Sequence, residues 1–387
     1  ARGTLTHYQA DKLLRGRWQG LVLGPYTVLA PLGRGGMGSV VYLARDRRVA
    51  DQIGDSDLLA LKVFPNRKAA ADPRALARFR REMEFGCRVG HPRVARTFAA
   101  GEMDGVHFIA MEFVPGHTLR HVVVERGPLA VGDAARVFAD VADGLAHIHE
   151  RSIVHRDVKP GNVMVRPDGR AVLLDLGLAY LPGEVLPADP AIVGGRGYTV
   201  GTMDYLAPEQ ARNASAVGPA ADLYSLGCAL VFALTGSVPF PAATTLEKVR
   251  RHRTDPPPDL AGAPAEFTKL VHRLLAKSPA ARPASAAEVR DLLTEWATEP
   301  PAAPGESALA LADAPGTDAS LWAAAPGDDL PDGMSLEELP CEDLPLEEIP
   351  EEVYELPPEE PERPAKQSGC AGPVVLLVAL CACLRWM

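Results

Sequence analysis

His155-Arg156-Asp157-Val158-Lys159-Pro160-Gly161-Asn162 is the stretch that decides how this chain is read. It sets a carboxylate, a cation and an amide at Asp157, Lys159 and Asn162, in a turn between a helical pattern and a short apolar strand. A carboxylate so placed can accept the proton of an incoming hydroxyl. Lys159 can neutralise a phosphoryl group in transfer, and the amide of Asn162 can offer an oxygen ligand to Mg²⁺. Asp175-Leu176-Gly177 follows at a strand end, a second carboxylate suited to bridging a metal ion and phosphates. A merely charged surface loop has no need of all four groups at this spacing.

Upstream, Leu32-Gly33-Arg34-Gly35-Gly36-Met37-Gly38-Ser39-Val40 fits GxGxxGxV, with Gly33, Gly35 and Gly38 at the motif positions. Glycines let backbone N–H groups approach phosphate oxygens closely. The same spacing occurs in dinucleotide-binding turns, which need a strand before and a helix after. Here Val40-Val41-Tyr42-Leu43 reads as a strand, which favours a hairpin flap over phosphates. Leu59-Ala60-Leu61-Lys62 then sets a lysine inside an apolar strand, where burial without a partner is costly. Nucleotide phosphates and Glu82, on the helix that follows, are the candidate anions, with Glu84 the second choice. Taken alone, Lys62 is equally well explained as a strand-edge lysine snorkelling to water.

Around these motifs, residues 4–15 read as a short helix, and Tyr26 to Ala30 starts a strand broken by the glycine-rich run 32–38. Leu58–Phe64 and Val106–Phe113 read as strands, and Pro73 to Val89 as an amphipathic helix. From Leu129 onward the apolar spacing turns helical, with Val137, Val141, Leu145 and Ile148 at three- and four-residue steps. Short strands are expected at Val163–Val165 and Ala171–Leu174, and helices dominate from 220 to Trp296. A strand-rich part followed by a helix-rich part argues for an α+β enzyme with two lobes.

The formal net charge of -10 hides an asymmetry. Residues 298–366 hold 19 Asp and Glu against Arg363 and Lys366, whereas residues 1–297 are mildly basic. With 13 prolines and two aromatics, the acidic segment buries too little surface to offset chain entropy and is expected to be disordered. It reads as a self-repelling spacer, with a docking site for a basic partner as the alternative. Beyond it, the apolar run Val374–Leu384 is 11 residues long, against about 20 for a membrane-spanning helix. Membrane insertion and a short hydrophobic tail without a membrane role are both open. The six cysteines show no CxxC pair and no zinc spacing, so a reduced, cytoplasmic catalytic domain is expected, with this tail as its candidate anchor in the inner membrane. No charged-then-apolar leader opens the chain, so no secretory signal is expected.

In order, the Gly-rich run, the strand lysine, the helix glutamate, the His-Arg-Asp loop, Asp175-Leu176-Gly177 and Gly201-Thr202-Met203-Asp204-Tyr205-Leu206-Ala207-Pro208-Glu209 resemble the motif set of bacterial, eukaryotic-like (Hanks-type) serine/threonine protein kinases. The resemblance runs from about Tyr26 to Trp296. It implies a bilobal fold, with a small antiparallel β-rich N-lobe carrying one helix and a larger helical C-lobe. The expected layout is an N-terminal helical extension (1–25) and a kinase domain (26–297, lobes about 26–113 and 114–297). A disordered acidic, Pro-rich linker (298–368) and the hydrophobic tail (369–387) complete it.

The resemblance also implies roles. Lys62 would hold the α- and β-phosphates of ATP and pair with Glu82. Leu32, Gly33, Gly35, Gly36 and Gly38 would cover the nucleotide, Val40 and Ala60 would roof the adenine, and Met164 would lie beneath it. Met111 resembles the gatekeeper, with the backbone of Glu112 and Val114 on the adenine edge. Asp157 would be the catalytic base, Lys159 and Thr202 its neighbours at the acceptor site, and Asn162 and Asp175 the Mg²⁺ ligands. Glu209 would pair with Arg282, and Asp222 would anchor the catalytic loop. Arg156 would meet a phosphothreonine, with Thr199 the first choice. The implied partners are ATP and proteins with Ser/Thr acceptors, in signalling through autophosphorylation; nucleic acid is not expected, and a homodimer is left open. Three features depart from the family pattern: Leu176 where Phe is usual, a long Val40–Lys62 interval suggesting an insertion around 46–57, and an expanded segment around 181–195. A pseudokinase is opposed by the presence of Lys62, Asp157, Asn162 and Asp175. A small-molecule phosphotransferase is opposed by the Thr-x-x-Tyr-x-Ala-Pro-Glu segment.

Overall fold

Every residue of Leu58–Pro65 is buried, which places this strand inside a sheet rather than at an edge. The computed structural model describes residues 5–34, 39–48, 57–65, 72–182, 203–212 and 217–299. The first lobe is an antiparallel sheet of β1 (Val22–Leu23), β2 (Tyr26–Arg34), β3 (Val40–Asp46), β4 (Leu58–Pro65), β5 (Thr97–Met103) and β6 (Val106–Glu112). Their order is β1-β2-β3-β4-β6-β5. The two faces bury separate cores, because side chains alternate along each strand. One face gathers Val28, Tyr42, Leu61, Val63 and Phe108, with Tyr8 of α1 (His7–Leu14) packed on it. The other carries Phe64 and Ile109 against Ala75 and Phe79 of α2 (Pro73–Gly86).

The second lobe comprises a three-stranded sheet and helices. The strands are β7 (His117–Thr118), β8 (Val163–Val165) and β9 (Ala171–Leu173). The helices are α3 (Leu119–Arg126), α4 (Val131–Glu150), α5 (Pro208–Arg212), α6 (Ala220–Thr235), α7 (Thr245–Thr254), α8 (Ala265–Leu274) and α9 (Ala286–Thr294). Helix α6 is apolar nearly all round and buried from Ala221 to Ala233, so it forms the axis of this lobe. At its midpoint a Cβ on Gly227 would stand 2.8 Å from Leu274 Cβ, so glycine is what lets α8 approach.

Several boundaries differ from the sequence reading. Strand β2 continues through the start of the glycine run, because Gly33 still pairs with Val41 and Arg34 with Val40. Strand β5 was not expected: Thr-Phe-Ala-Ala-Gly-Glu-Met has few β-branched residues, and pairing to β6 alone defines it. Helix α3 was not expected either; its N-cap Thr118 accepts from His121 N at 3.2 Å. Helix α2 ends at Gly86 rather than Val89. Arg45 and Leu58 are cross-strand partners, so the suspected insertion is the connection of the β3–β4 hairpin. Among the described residues no helix is long and apolar enough to cross a membrane. The tail 369–387 and nearly all of 298–368 lie outside those residues.

The base of the second lobe is tied by Arg282, whose buried guanidinium donates to Glu209 Oε1 at 2.6 Å and Oε2 at 2.9 Å, and to Ala220 O at 2.8 Å. Truncating one member of a buried pair leaves the other charge uncompensated. Arg282→Ala is therefore expected to lower unfolding free energy by about 3–5 kcal/mol in urea titration. A loss below about 1 kcal/mol would show that water replaces the guanidinium freely.

Candidate active site

Strand β4 and helix α2 bring Lys62 and Glu82 together inside the first lobe. Lys62 Nζ lies 2.8 Å from Glu82 Oε1 and 2.6 Å from Oε2, and Asp175 Oδ2 stands 3.6 Å away. Glu84, the second choice, instead pairs with Arg88 on the surface at 3.1 Å. Burial works against the charge on Lys62, but Asp175 and Glu82 outweigh it and hold the ammonium above its ordinary range. Burial also pushes the Glu82 carboxyl up, reinforced by Asp175 and only partly opposed by Lys62. Burial would raise Asp175 too, yet Lys62, the Gly177 N–H and Lys159 keep it below the usual carboxylate range.

The loop after α4 is held from below. Asp222, on the buried helix α6, accepts from the backbone N–H of His155 at 2.9 Å and of Arg156 at 2.8 Å, and His149 Nε2 lies 2.8 Å from it. Arg156 sits at φ +62° and Asp175 at φ +60°, left-handed conformations that non-glycine residues rarely adopt. Such residues persist only where the surroundings over-determine them. Asp222 does this for Arg156, and the Gly177 N–H does it for Asp175 by donating to Oδ1 at 2.8 Å. A Cβ on Gly177 would come 2.9 Å from that oxygen, which accounts for glycine there. Within the loop, Lys159 Nζ is 2.7 Å from Asp157 Oδ2, and Asn162 Nδ2 donates to Asp157 O at 2.9 Å and to its Oδ2 at 3.0 Å. Leu174 N donates to Asn162 O at 2.8 Å, which ties Asn162 to the residue before Asp175.

Among the remaining expected residues that the structure describes, strand register corrects one, Val40. Directly opposed residues of antiparallel strands share a face. Leu43, Ala60 and Met111 therefore share one face, as do Val41, Lys62 and Ile109 beside them. Val40, expected as an adenine roof, pairs with Val63 and belongs to the opposite core with Tyr42 and Leu61. One residue more than the motif spacing separates the glycines from the inward position, and Val41 takes it. Leu32 packs with Leu29, Leu43, Leu58 and Phe113. On the second lobe Val114 and Met164 form a buried cluster with Val172. Met111 lies against Phe64 and Phe79, and Glu112 N donates to Arg96 O at 2.7 Å, at the strand end leading to Val114. Gly33 lies in β2; Gly35, Gly36, Gly38, Thr199 and Thr202 lie outside the described residues.

The roles of two residues, one outside the motifs and one inside them, escaped the sequence reading. Arg81 of α2 donates to Ala179 O at 3.2 Å and 2.9 Å, fastening the helix that carries Glu82 to the chain just after Asp175. His155 takes a bond from Asp157 N on Nδ1 at 3.2 Å and faces Leu174 O with Nε2 at 3.2 Å, bridging both carboxylate segments. Arg81 carries no sequence signal beyond its place one residue before Glu82. Arg156 donates to Leu178 O at 2.8 Å and its guanidinium stacks on the Tyr180 ring at 4.7 Å.

The charges around Lys62 sum to one excess carboxylate, an arrangement that favours a further cation. Among the described residues no group of three His, Cys, Asp or Glu is placed to hold a metal by itself. Mg²⁺ is commonly held by one or two protein ligands together with substrate phosphates. Asp175, and the amide oxygen of Asn162 whose nitrogen is already engaged, fit that part.

A small sheet-based lobe with a buried lysine–glutamate pair, set over a helical lobe presenting Asp157, Lys159, Asn162 and Asp175, defines the protein kinase class of phosphotransferase fold. Comparison with known proteins agrees: the protein kinase domain family matches residues 26–293. The chain is 37% identical over 285 residues to the serine/threonine-protein kinase PknB of Mycobacterium tuberculosis, covering 70% of this chain and 43% of that protein. It is 36% identical over 273 residues to the probable serine/threonine-protein kinase PkwA of Thermomonospora curvata, covering 70% and 34%. To the probable serine/threonine-protein kinase pknA2 of Bifidobacterium longum it is 32% identical over 287 residues, covering 73% and 36%. The chain spans less than half the length of these relatives. It belongs to the protein kinase family, in its bacterial serine/threonine branch.

The Asp222 anchor carries a pH signature. Burial raises its carboxyl, but the bond from His149 and the backbone N–H of His155 more than offset this and keep it below the ordinary range. A carboxyl depressed by folding adds stability above its unfolded value, near 3.9, and loses it as pH falls through the folded value. Asp222→Asn leaves a buried donor without its acceptor, at about 1–3 kcal/mol near neutral pH. The stability gap between parent and variant should then shrink as pH drops below about 4 in urea unfolding. A gap independent of pH would refute the assignment.

Proposed function

We propose that this chain transfers the γ-phosphoryl group of Mg-ATP to serine or threonine hydroxyls of protein substrates. The observation that carries the reading is the convergence of Lys62 and Asp175 at 3.6 Å, next to a loop in which Asp157, Lys159 and Asn162 are mutually bonded. Lys62, oriented by Glu82, grips the α- and β-phosphates. Asp157 receives the proton of the acceptor hydroxyl, oriented by Lys159 and Asn162. Lys159 gives its bond with Asp157 a second use, as the positive charge facing the phosphoryl group in transfer. Asp175 and Asn162 would hold Mg²⁺, which would supply charge neutralisation to the phosphate oxygens. Leu32, Val41 and Ala60 roof the adenine, Val114 and Met164 floor it, Met111 guards the rear, and the backbone of Glu112 and Val114 meets its edge. Lys159, two residues past the base, favours Ser/Thr over Tyr acceptors, and the likeness to serine/threonine kinases supports this.

In the same reading residues 26–297 form the catalytic domain after an N-terminal extension, residues 298–368 a charged spacer, and residues 369–387 a membrane-seeking tail. The acidic, Pro-rich composition and the apolar run Val374–Leu384 support the last two. Sodium carbonate extraction of membranes should leave the full-length chain in the pellet and release a form ending at 368. Equal release of both would reject the anchor.

Asp157→Asn and Lys62→Met are each expected to lower radiolabelling of a basic acceptor protein from [γ-³²P]ATP by about a thousandfold or more. The unfolding midpoint should stay close to the parent's in Asp157→Asn and fall in Lys62→Met, where Glu82 loses its buried counter-charge. Chelation of divalent cations should abolish labelling and added Mg²⁺ restore it. In the same assay Val41→Phe should raise the KM for ATP by crowding the roof. Parent-like labelling by either of the first two variants would overturn the assigned roles.

A further inference from the structure

Helix α1 does more than cover the sheet. Its capping box is closed: Gln9 N donates to Thr6 Oγ1 at 3.2 Å, and Thr6 N donates to Gln9 Oε1 at 3.1 Å. Each of these side chains has a second bond outside the helix. The Thr6 hydroxyl donates to Leu29 O, and Gln9 Nε2 donates to Val28 O at 2.7 Å. Both side chains are buried. A capping box needs neither strand bond, so the pair is built to grip β2 as well as to start a helix.

The gripped site is irregular. Val28 pairs with Ala44 and Ala30 with Leu43, so Leu29 is the extra residue of a bulge, where ladder bonding is interrupted. A second shift follows at Leu32, between Pro31, opposite Tyr42, and Gly33, opposite Val41. Two bulges in five residues aim the strand that runs into the glycine-rich stretch. Leu29 sends its side chain to Leu32 and Phe113, the residues flanking the nucleotide face. Helix α1 also reaches the returning strand β3, where the rings of Tyr8 and Tyr42 lie 6.4 Å apart. Both β2 and β3 are thus met by one short helix.

We infer that α1 is a positioning element for the β2 segment at the nucleotide face, with Thr6 and Gln9 acting through the bulge at Leu29 on Leu32 and Gly33, and so on nucleotide affinity. This rests on the kinase reading of the cleft. The test uses the full chain carrying Thr6→Val, Gln9→Leu or both, assayed with ATP and a protein acceptor varied separately. The double variant should raise the KM for ATP about fivefold to tenfold, with kcat and the acceptor KM within about twofold of the parent. Thr6→Ser should retain the parental value. Thr244→Val removes a comparable cap in the other lobe, where Thr244 accepts from Glu247 N; it should lower the melting temperature without moving the KM for ATP. The Kd of a fluorescent ATP analogue should shift in parallel. That binding readout separates the two claims: a parent that binds nucleotide without turnover sinks the kinase reading, while the analogue still judges the helix. A parental Kd and KM in the double variant, or an equal shift in Thr244→Val, would overturn the inference.

Discussion

Two carboxylates compete for one buried ammonium at the centre of this molecule. Lys62 is bound closely by Glu82 and at longer range by Asp175, and the three come from the sheet, the helix packed on it and the second lobe. Burying such a set is costly unless every charge is answered. The site is therefore a constraint on the fold as much as a catalytic feature. Glu82 fixes how α2 lies on β4, and Arg81, its neighbour, carries that placement on to Ala179. The surplus negative charge makes the cleft receptive to a divalent cation, and a nucleotide brings one with it.

Much of this was legible because chemistry imposes spacing within short segments. The loop from His155 to Asn162, Asp175-Leu176-Gly177 and the Lys62–Glu82 pair could be named from residue type and order, whereas the Arg282–Glu209 pair, 73 residues apart, came only from the family resemblance; each pair is within hydrogen-bonding distance. The single misplacement in the roof has a specific cause. A period-two strand converts an error of one residue into the wrong face, and Val40 next to Val41 offers no compositional way to choose. Register with β4 decides it: Val41, not Val40, stands opposite Lys62. Strand β5 was invisible for a related reason, since Ala99, Ala100 and Gly101 become strand only by pairing with β6. The grip of Thr6 and Gln9 on β2 was equally hidden, because a capping box announces a helix start and says nothing of what else the side chains hold.

The anchor of the catalytic loop shows why the second lobe is built as it is. Asp222 sits fully buried near the start of an otherwise apolar helix, a placement that would be prohibitive without partners. Its partners are two backbone N–H groups of the loop and the ring of His149, so the charge is answered only when the loop adopts its native path. That path includes Arg156 in a left-handed conformation, a strain of order 1–3 kcal/mol. The bonds to Asp222 offset it, and they are lost if the loop relaxes. The helix carrying Asp222 is in turn tethered near its start by Arg282, which donates to Ala220 O and clasps Glu209. A buried guanidinium, a buried carboxylate and a strained loop thus stabilise one another in series. Lys159 and Asn162 orient the carboxylate of Asp157 directly, but the path of the loop that presents it is set by groups that never touch it.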